Sequence, residues 1–331
     1  MVSRDLISIV MADYLNPAAW TFAFIQALLF AAAAPLLVAW VRRVKSRLQN
    51  RSGPGLMQPY RDLYKLFGKQ AMVSQNTSII FRAAPYIVFC TTWLAAAIIP
   101  LVVTQLPTAA ITDVIVLVGF LALGRFFLAL AGMDVGTAFG GMGSSREMLI
   151  SALAEPAMLL AVFTVAMTAH STNLSSVIEH VLNSGIILRP SYLFALFALM
   201  LVAVAETGRI PIDNPATHLE LTMVHEAMIL EYSGRHLALM EWAAHIKLML
   251  YGVLIANVFF PWGIATNFST SAVAIGLLAI TLKLILLAII LAISETVLAK
   301  MRLFRAPQYL NLALLLALLG MLSHVILEVG T

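Results

Sequence analysis

Apolar residues fill eight stretches long enough to be crossings, running approximately from Ala18 to Val41, Ala83 to Thr104, Ile111 to Gly132, Met148 to Thr168, Tyr192 to Ala205, Trp242 to Trp262, Ala272 to Leu298 and Tyr309 to Ile326. A bilayer core takes roughly 20 apolar residues of helix, because no water there can satisfy a free backbone group. The pattern therefore predicts an all-α, polytopic membrane protein built as one membrane domain. The fifth stretch is short if it stops at Glu206, and extending it back through Ile186 would enclose Arg189 and Pro190. The first stretch is too long for a cleavable signal, lies behind Asp5 and Asp13, and lacks a small-residue cleavage pattern, so it is expected to remain as a helix.

Composition agrees with this pattern. The 331 residues are 61% hydrophobic and 11% charged, with a mean hydropathy of +0.95, against roughly 25% charged in a soluble domain. A soluble enzyme, a disordered regulator and a nucleic-acid binder are excluded together. The net charge of +4 is a topology signal: 15 of the 20 Lys and Arg lie in the odd-numbered loops, and only Arg4 and Arg189 lie opposite. The positive-inside rule puts those loops in the cytoplasm and both termini outside. One cysteine, Cys90, excludes a disulfide framework and an iron–sulfur cluster held by this chain alone.

Three cytoplasmic segments are long and charged. The basic one, 42–82, opens with Arg42 to Arg51 and enters Pro59 to Gln70, where Tyr60, Leu63, Tyr64 and Phe67 share one helical stripe. This predicts an amphipathic interfacial helix, either a basic anchor on headgroups or one wall of a crevice. The glycine-rich one, 132–147, permits tight backbone paths and close approach by another chain. No strand precedes it and no Gly-Lys-Ser/Thr closes it, so it is no phosphate loop. The acidic one, 206–241, sets six carboxylates against Arg209 and Arg235. Asn214-Pro215 predicts a helix start and Gly234 a stop, with Leu219, Met223, Ala227 and Leu230 on one stripe.

Charges inside spans cost roughly 2.5–3.5 kcal/mol each. Arg125, Glu155, Glu206, Lys247, Lys283 and Glu295 are the candidates, three acids and three bases. They either form structural ion pairs between helices or line an ion relay. Lys283 and Glu295 are too far apart along one helix to pair, so each needs a partner elsewhere. The seven histidines form no His-x-x-x-His pair within a span, His225-Glu226 lacks the second histidine of a zinc protease, and no hydrolase motif appears. No metal site is expected.

Several motifs together carry a family resemblance: Arg51-x-Gly53-Pro54, the run from Gln58 through Leu66, Ser145-Arg146-Glu147, Ala205-Glu206-Thr207-x-Arg209-x-Pro211-x-Asp213-x-Pro215, Glu220-Leu221 and Glu231-Tyr232-Ser233. In this order over nearly the whole chain they resemble the complex I subunit 1 family. The stretch from Asp213 to Gly234 is most similar to the membrane subunit of group 4 nickel–iron hydrogenases, the hydrogenase 4 component C and formate hydrogenlyase subunit 4 type. The resemblance implies an eight-helix subunit of the cytoplasmic membrane that seats a soluble electron-transfer arm, and in quinone-reducing relatives forms much of the quinone chamber. It implies soluble large and small subunits carrying iron–sulfur clusters and a nickel–iron centre, antiporter-like membrane subunits, and no cofactor on this chain. Glu206, Arg209, Asp213, Glu220 and Glu231 match charged positions after span five, Glu155 an acidic position in span four, and Arg51 and Arg146 basic positions near the chamber mouth. Quinone-reducing members read Pro-Glu-Ala-Glu where this chain reads Pro215-Ala216-Thr217-His218, and about three extra residues precede Glu231. The departures favour the hydrogenase branch.

The expected ion-coupling set is therefore Glu155, Glu206, Asp213, Glu220, Glu231, Lys247, Lys283 and Glu295. The expected docking or chamber set is Arg51, Arg61, Asp134, Arg146, Arg209, His218 and His225. Proton and sodium both remain open as the ion. The alternatives are a quinone-binding subunit of a quinone-reducing oxidoreductase and a free-standing secondary transporter, the latter without the internal repeat common in such proteins.

Overall fold

A computed structural model describes residues 17–74, 77–184, 189–213, 223–266 and 269–327. Eleven α-helices occur among them: α1 (Pro17–Leu48), α2 (Gln58–Phe67), α3 (Ile79–Ile98), α4 (Val114–Asp134), α5 (Ala138–Ala169), α6 (Leu174–Ser184), α7 (Pro190–Glu206), α8 (His225–Ile229), α9 (Gly234–Phe259), α10 (Thr270–Val297) and α11 (Ala306–Leu327). Local chemistry sets many starts. Ser78, Asp113, Thr137 and Ser269 each accept a hydrogen bond from a backbone N–H in the first turn of α3, α4, α5 and α10. Proline opens α7, where its missing N–H costs nothing.

Seven helices, α1, α3, α4, α5, α9, α10 and α11, are long and apolar enough to cross a membrane. The eighth expected crossing corresponds to α7, which is apolar but has only 17 residues. Several boundaries differ from expectation because helices continue past the bilayer. α1 runs through the basic residues to Leu48, and α5 begins at Ala138, ten residues before the predicted span. Most of the glycine-rich segment is thus the first turns of α5, and only 135–137 is irregular.

The acidic segment departs most. Its proposed start, Asn214-Pro215, and Leu219 lie outside the described residues. What is described holds one short helix, α8, and Gly234 opens α9 instead of ending a helix. Gly234 has φ +54°, and a Cβ there would sit 2.5 Å from the Gln70 carbonyl oxygen, so the turn onto α9 is open to glycine alone. Met223 and Ala227 are buried as the stripe requires, but Leu230 is exposed, because α8 ends before its turn completes.

The close approach expected of the glycines is made by the chain itself. At Gly143 a Cβ would meet the Ala227 methyl and the Val224 carbonyl oxygen at 3.0 Å. Glycine there lets the 223–229 segment lie on the start of α5. Arg146 on the next turn donates to the Met223 carbonyl at 2.8 Å and fixes the register.

The loops sort to two ends. At one end the Ser78 N–H donates to Asp134, Ser233 exchanges hydrogen bonds with Met72, and the Met301 N–H donates to the Pro211 carbonyl. This charged end collects the basic, glycine-rich and acidic segments. At the other, Thr104 donates to Glu179 at 2.6 Å, and Val103 bridges to Ala265. α9 is the central pillar, packed on α1, α2, α3, α7 and α10. α10 is peripheral, with Ile275, Leu278, Leu282, Leu286, Ile290 and Ile293 exposed along its outer side. In a membrane such a surface suits lipid or an apolar helix of another subunit.

Candidate functional site

Four helices meet around one arginine. Arg125 projects from the middle of α4 and is 5% exposed. Its guanidinium fork reaches Glu206 at the end of α7 with one nitrogen and Glu155 on α5, at 2.5 Å, with the other. Arginine suits this place because its planar fork serves two carboxylates at once and stays charged. Lys247 of α9 approaches the second oxygen of Glu206 at 3.0 Å, and Ser151, one turn before Glu155, donates to it at 3.0 Å. Two cations face two carboxylates, so the group is electroneutral. Arg125 or Glu206, both buried, would cost several kcal/mol alone; with the partly exposed Glu155 and Lys247 they tie α4, α5, α7 and α9.

A polar cavity of about 70 Å³ adjoins this cluster, lined among others by Arg125, Glu147, Glu206, Asp213, His225 and Lys247. A water molecule needs about 10–15 Å³ of such space and two to four polar partners. The cavity offers both for several waters. Apolar walls from Val88, Leu121, Leu128, Ile150 and Met240 surround the polar groups, which strengthens their fields by excluding bulk solvent.

Nearer the charged end lies a second set of pairs. Glu295, 5% exposed on the last turns of α10, accepts from Lys45 of α1 at 2.7 Å and from Arg209 at 3.0 Å. Asp213, 3% exposed, accepts from Lys300 at 3.0 Å and from the Val224 N–H at 3.2 Å. The 207–213 turn is thereby pinned to α1, α10 and the strap that follows α10. Glu295 does not pair with the in-span bases that the balance of charges offers it. Its partners come from the loop segments instead, Lys45 from the basic one and Arg209 from the acidic one.

The remaining expected residues divide. Asp134 caps the N–H of Ser78, Arg146 holds Met223, and His225 lines the polar cavity. Arg51, Arg61 and Glu231 are exposed and lie outside both clusters. Lys283 is half-buried on α10 and forms no ion pair with a described residue, so it joins neither set. Glu220 and His218 lie outside the described residues. On the amphipathic α2, Leu63 is buried and the Tyr60 hydroxyl donates to the Ala32 carbonyl, while Tyr64 is 82% exposed. The crevice wall is therefore narrower than the four-residue stripe predicts.

Four participants fall outside the expected set. Arg125 stands among the in-span charges without an expected role, although as the most central base it is the natural partner for two acids. Lys45 and Lys300 are absorbed into the orientation count. Glu147, 9% exposed on the polar cavity, enters the sequence reading only as part of the Ser145-Arg146-Glu147 motif. Tyr232 adds a fixed point: its hydroxyl donates to the Phe81 carbonyl at 2.9 Å and its ring stacks on Phe81 at 4.0 Å. Burial, aided by the charge of Asp134, pushes this phenol well above its usual range, so it remains a donor.

Residues 20–326 match the NADH dehydrogenase family. The chain is 32% identical to formate hydrogenlyase subunit 4 of Escherichia coli (strain K12), over 87% of this chain and 92% of that one. It is 34% identical to hydrogenase-4 component C of the same organism, over 85% of this chain and 88% of that one. NADH-quinone oxidoreductase subunit 8 of Rhodothermus marinus is 28% identical over 74% of this chain and 74% of its own length. The fold is shared with a chain in the structure of the membrane-bound sulfane sulfur reductase, an archaeal respiratory membrane complex, with a TM-score of 0.74, 21% identity and coverage of 91% of this chain and 98% of that one.

Proposed function

The chain belongs to the NADH dehydrogenase subunit 1 family, as an integral membrane subunit of the hydrogenase and complex I-like kind, and from that premise we propose that it anchors a soluble electron-transfer arm and couples its redox change to ion movement. The observation that carries the coupling role is the electroneutral cluster of Arg125, Glu155, Glu206 and Lys247, set across four helices beside a polar cavity. Intramembrane acids and bases are costly, and where they line a polar cavity they usually serve an ion path.

The cluster works by compensation. While Arg125 and Lys247 both touch Glu206, its charge is balanced. If a redox-driven shift of the charged-end loops draws Lys247 or Arg125 away, a buried carboxylate is left uncompensated. The species that restores neutrality is then a proton or sodium ion taken through the cavity. Asp213, held to Lys300 and to the Val224 N–H, links that carboxylate region to the loops that would touch the arm. Arg146, Asp134 and Arg209 fix those loops, and His225 lines the cavity beside them. Glu220 and His218 stay in the proposal through family resemblance alone.

In this reading the charged end faces the cytoplasm, both termini face outside, and the arm carries iron–sulfur clusters with a nickel–iron centre. Antiporter-like membrane subunits complete the path. The similarity to hydrogenase and formate hydrogenlyase subunits favours this over quinone reduction and over a free-standing transporter.

Glu206→Gln tests the proposal, since it removes the charge and keeps the shape. In vesicles containing the whole complex, redox turnover should persist while ion translocation is lost, with unchanged subunit composition. Undiminished pumping would sink the relay. Turnover that requires added quinone would turn the reading toward a quinone-reducing complex.

A further inference from the structure

Beside the charged clusters lies a cavity they do not use. It measures about 220 Å³ and is walled by α1, α7, α9, α10 and α11. α10 packs on α1 and α9, and Leu284, Leu287, Ala288 and Leu291 along it line the space together with Met200 and Val204 of α7. From Leu284 to Ser294 the lining follows α10 for ten residues, about 15 Å of helix. That is about half of a 30 Å hydrocarbon core, the depth of one leaflet.

Water is a poor occupant. The hydroxyls at the charged end of the lining, Ser294 and Thr207, donate to carbonyls of their own helices, Leu291 and Ala203. Each can still accept, and Tyr251 and Tyr309 add their hydroxyls to the wall, but the other wall residues are apolar, so an alkyl chain suits the space better than water. An alkyl chain loses nothing there and restores the packing that α10 lacks on this side.

The mouth is basic. The strap between α10 and α11 is tied to the bundle where the Met301 N–H donates at 2.9 Å to the carbonyl of Pro211, a residue of the cavity wall. Lys300 on this strap is held by Asp213, whereas Arg302 and Arg305 are exposed on either side of Phe304, which is 90% exposed. Two arginines flanking an exposed aromatic ring suit the headgroup level of a bilayer.

We propose that this groove and strap form a site for an anionic phospholipid, with one acyl chain between α7 and α10 and its phosphate on Arg302 and Arg305. The lipid would fill the gap that leaves α10 peripheral. Tyr251 gives the site a connection to the charged cluster, because it is a wall residue of the groove and also interacts electrostatically with Glu206, Arg125 and Glu155. The proposal stands whether or not the cluster moves ions.

The whole complex in nanodiscs can be probed with phosphatidylglycerol and phosphatidylcholine analogues carrying a photoactivatable acyl chain, the labelled peptides being identified by mass spectrometry. The phosphatidylglycerol probe should label segments 284–291 and 200–204 in preference to phosphatidylcholine. Arg302→Ala with Arg305→Ala alters exposed side chains only, and should lower that preference about fivefold for each cation removed. Ala288→Phe should fill the groove and remove labelling by both probes. Equal labelling by the two lipids in the unaltered complex, or labelling indifferent to the arginine changes, would overturn the proposal. So would efficient cross-linking of Leu291→Cys to another membrane subunit, which would show a protein helix in the groove.

Discussion

The two charged clusters use the same side-chain types toward different ends. The inner one hangs Arg125, Glu155, Glu206 and Lys247 from four helices and balances its charge. The outer one holds Glu295 and Asp213 with Lys45, Arg209 and Lys300, an excess of one cation, on a turn, a strap and two helix ends. Rigid supports and neutrality make the inner cluster sensitive to any single charge. Mounting on a turn, a strap and helix ends makes the outer one a clasp whose pairs can open separately. The lesson is that mounting and charge balance, more than residue type, separate a candidate relay from a fastening.

The contrast can be broken most severely at Arg125. Arg125→Gln leaves two acids with one remaining cation, and removing one partner of a buried pair costs about 3–5 kcal/mol. The expected outcome is a sharp fall in the melting temperature of the complex or in its yield. Adding Glu206→Gln should recover part of that loss, a coupling that a double-mutant cycle measures directly. Strict additivity would mean that the two side chains do not act as a pair.

Glu295→Gln should do less. Lys45 and Arg209 keep 24% and 13% of their side chains exposed, so each can turn to water, and the loss should be about 2 kcal/mol, the scale of hydrogen bonds to a charged group. Its signature is local: protease sensitivity of the acidic segment should rise before the bundle melts. A global effect equal to that of Arg125→Gln would erase the distinction between relay and clasp.

Smaller still is Lys300→Ala, about 1–1.5 kcal/mol, the low end for a hydrogen bond to a charged group, because Asp213, though buried, keeps the Val224 N–H. Its effect on melting should shrink as salt rises, while that of Arg125→Gln should hold, because buried pairs are screened much less. Glu231→Gln should leave the melting temperature unchanged, since that residue lies in neither cluster.

Much of this organisation is legible in the chain. The long apolar runs announce the helices because hydrocarbon tolerates no unpaired backbone, and the same constraint makes Glu155, Glu206, Lys247 and Glu295 conspicuous. Their partners are less so. Lys45 and Lys300 look like any other basic loop residues, and only the packing of α1, α7 and α10 brings them to Glu295 and Asp213. The acidic segment misleads in its described part, 223–234, for a related reason: the helical pattern there yields to tertiary contacts, with Gly143 admitting α8 and Gly234 turning the chain onto α9 against Gln70.

The sequence alone determined that this is a helical membrane protein, that its loops differ in charge across the two ends, and that a few buried acids and bases need an explanation. Those conclusions follow from solvation, which acts on each residue where it stands. Which base meets which acid, which acids share a cavity, and where α10 parts from α7 were decided by the tertiary structure. Pairing and voids depend on how separate helices approach one another, and no single stretch of sequence carries that information.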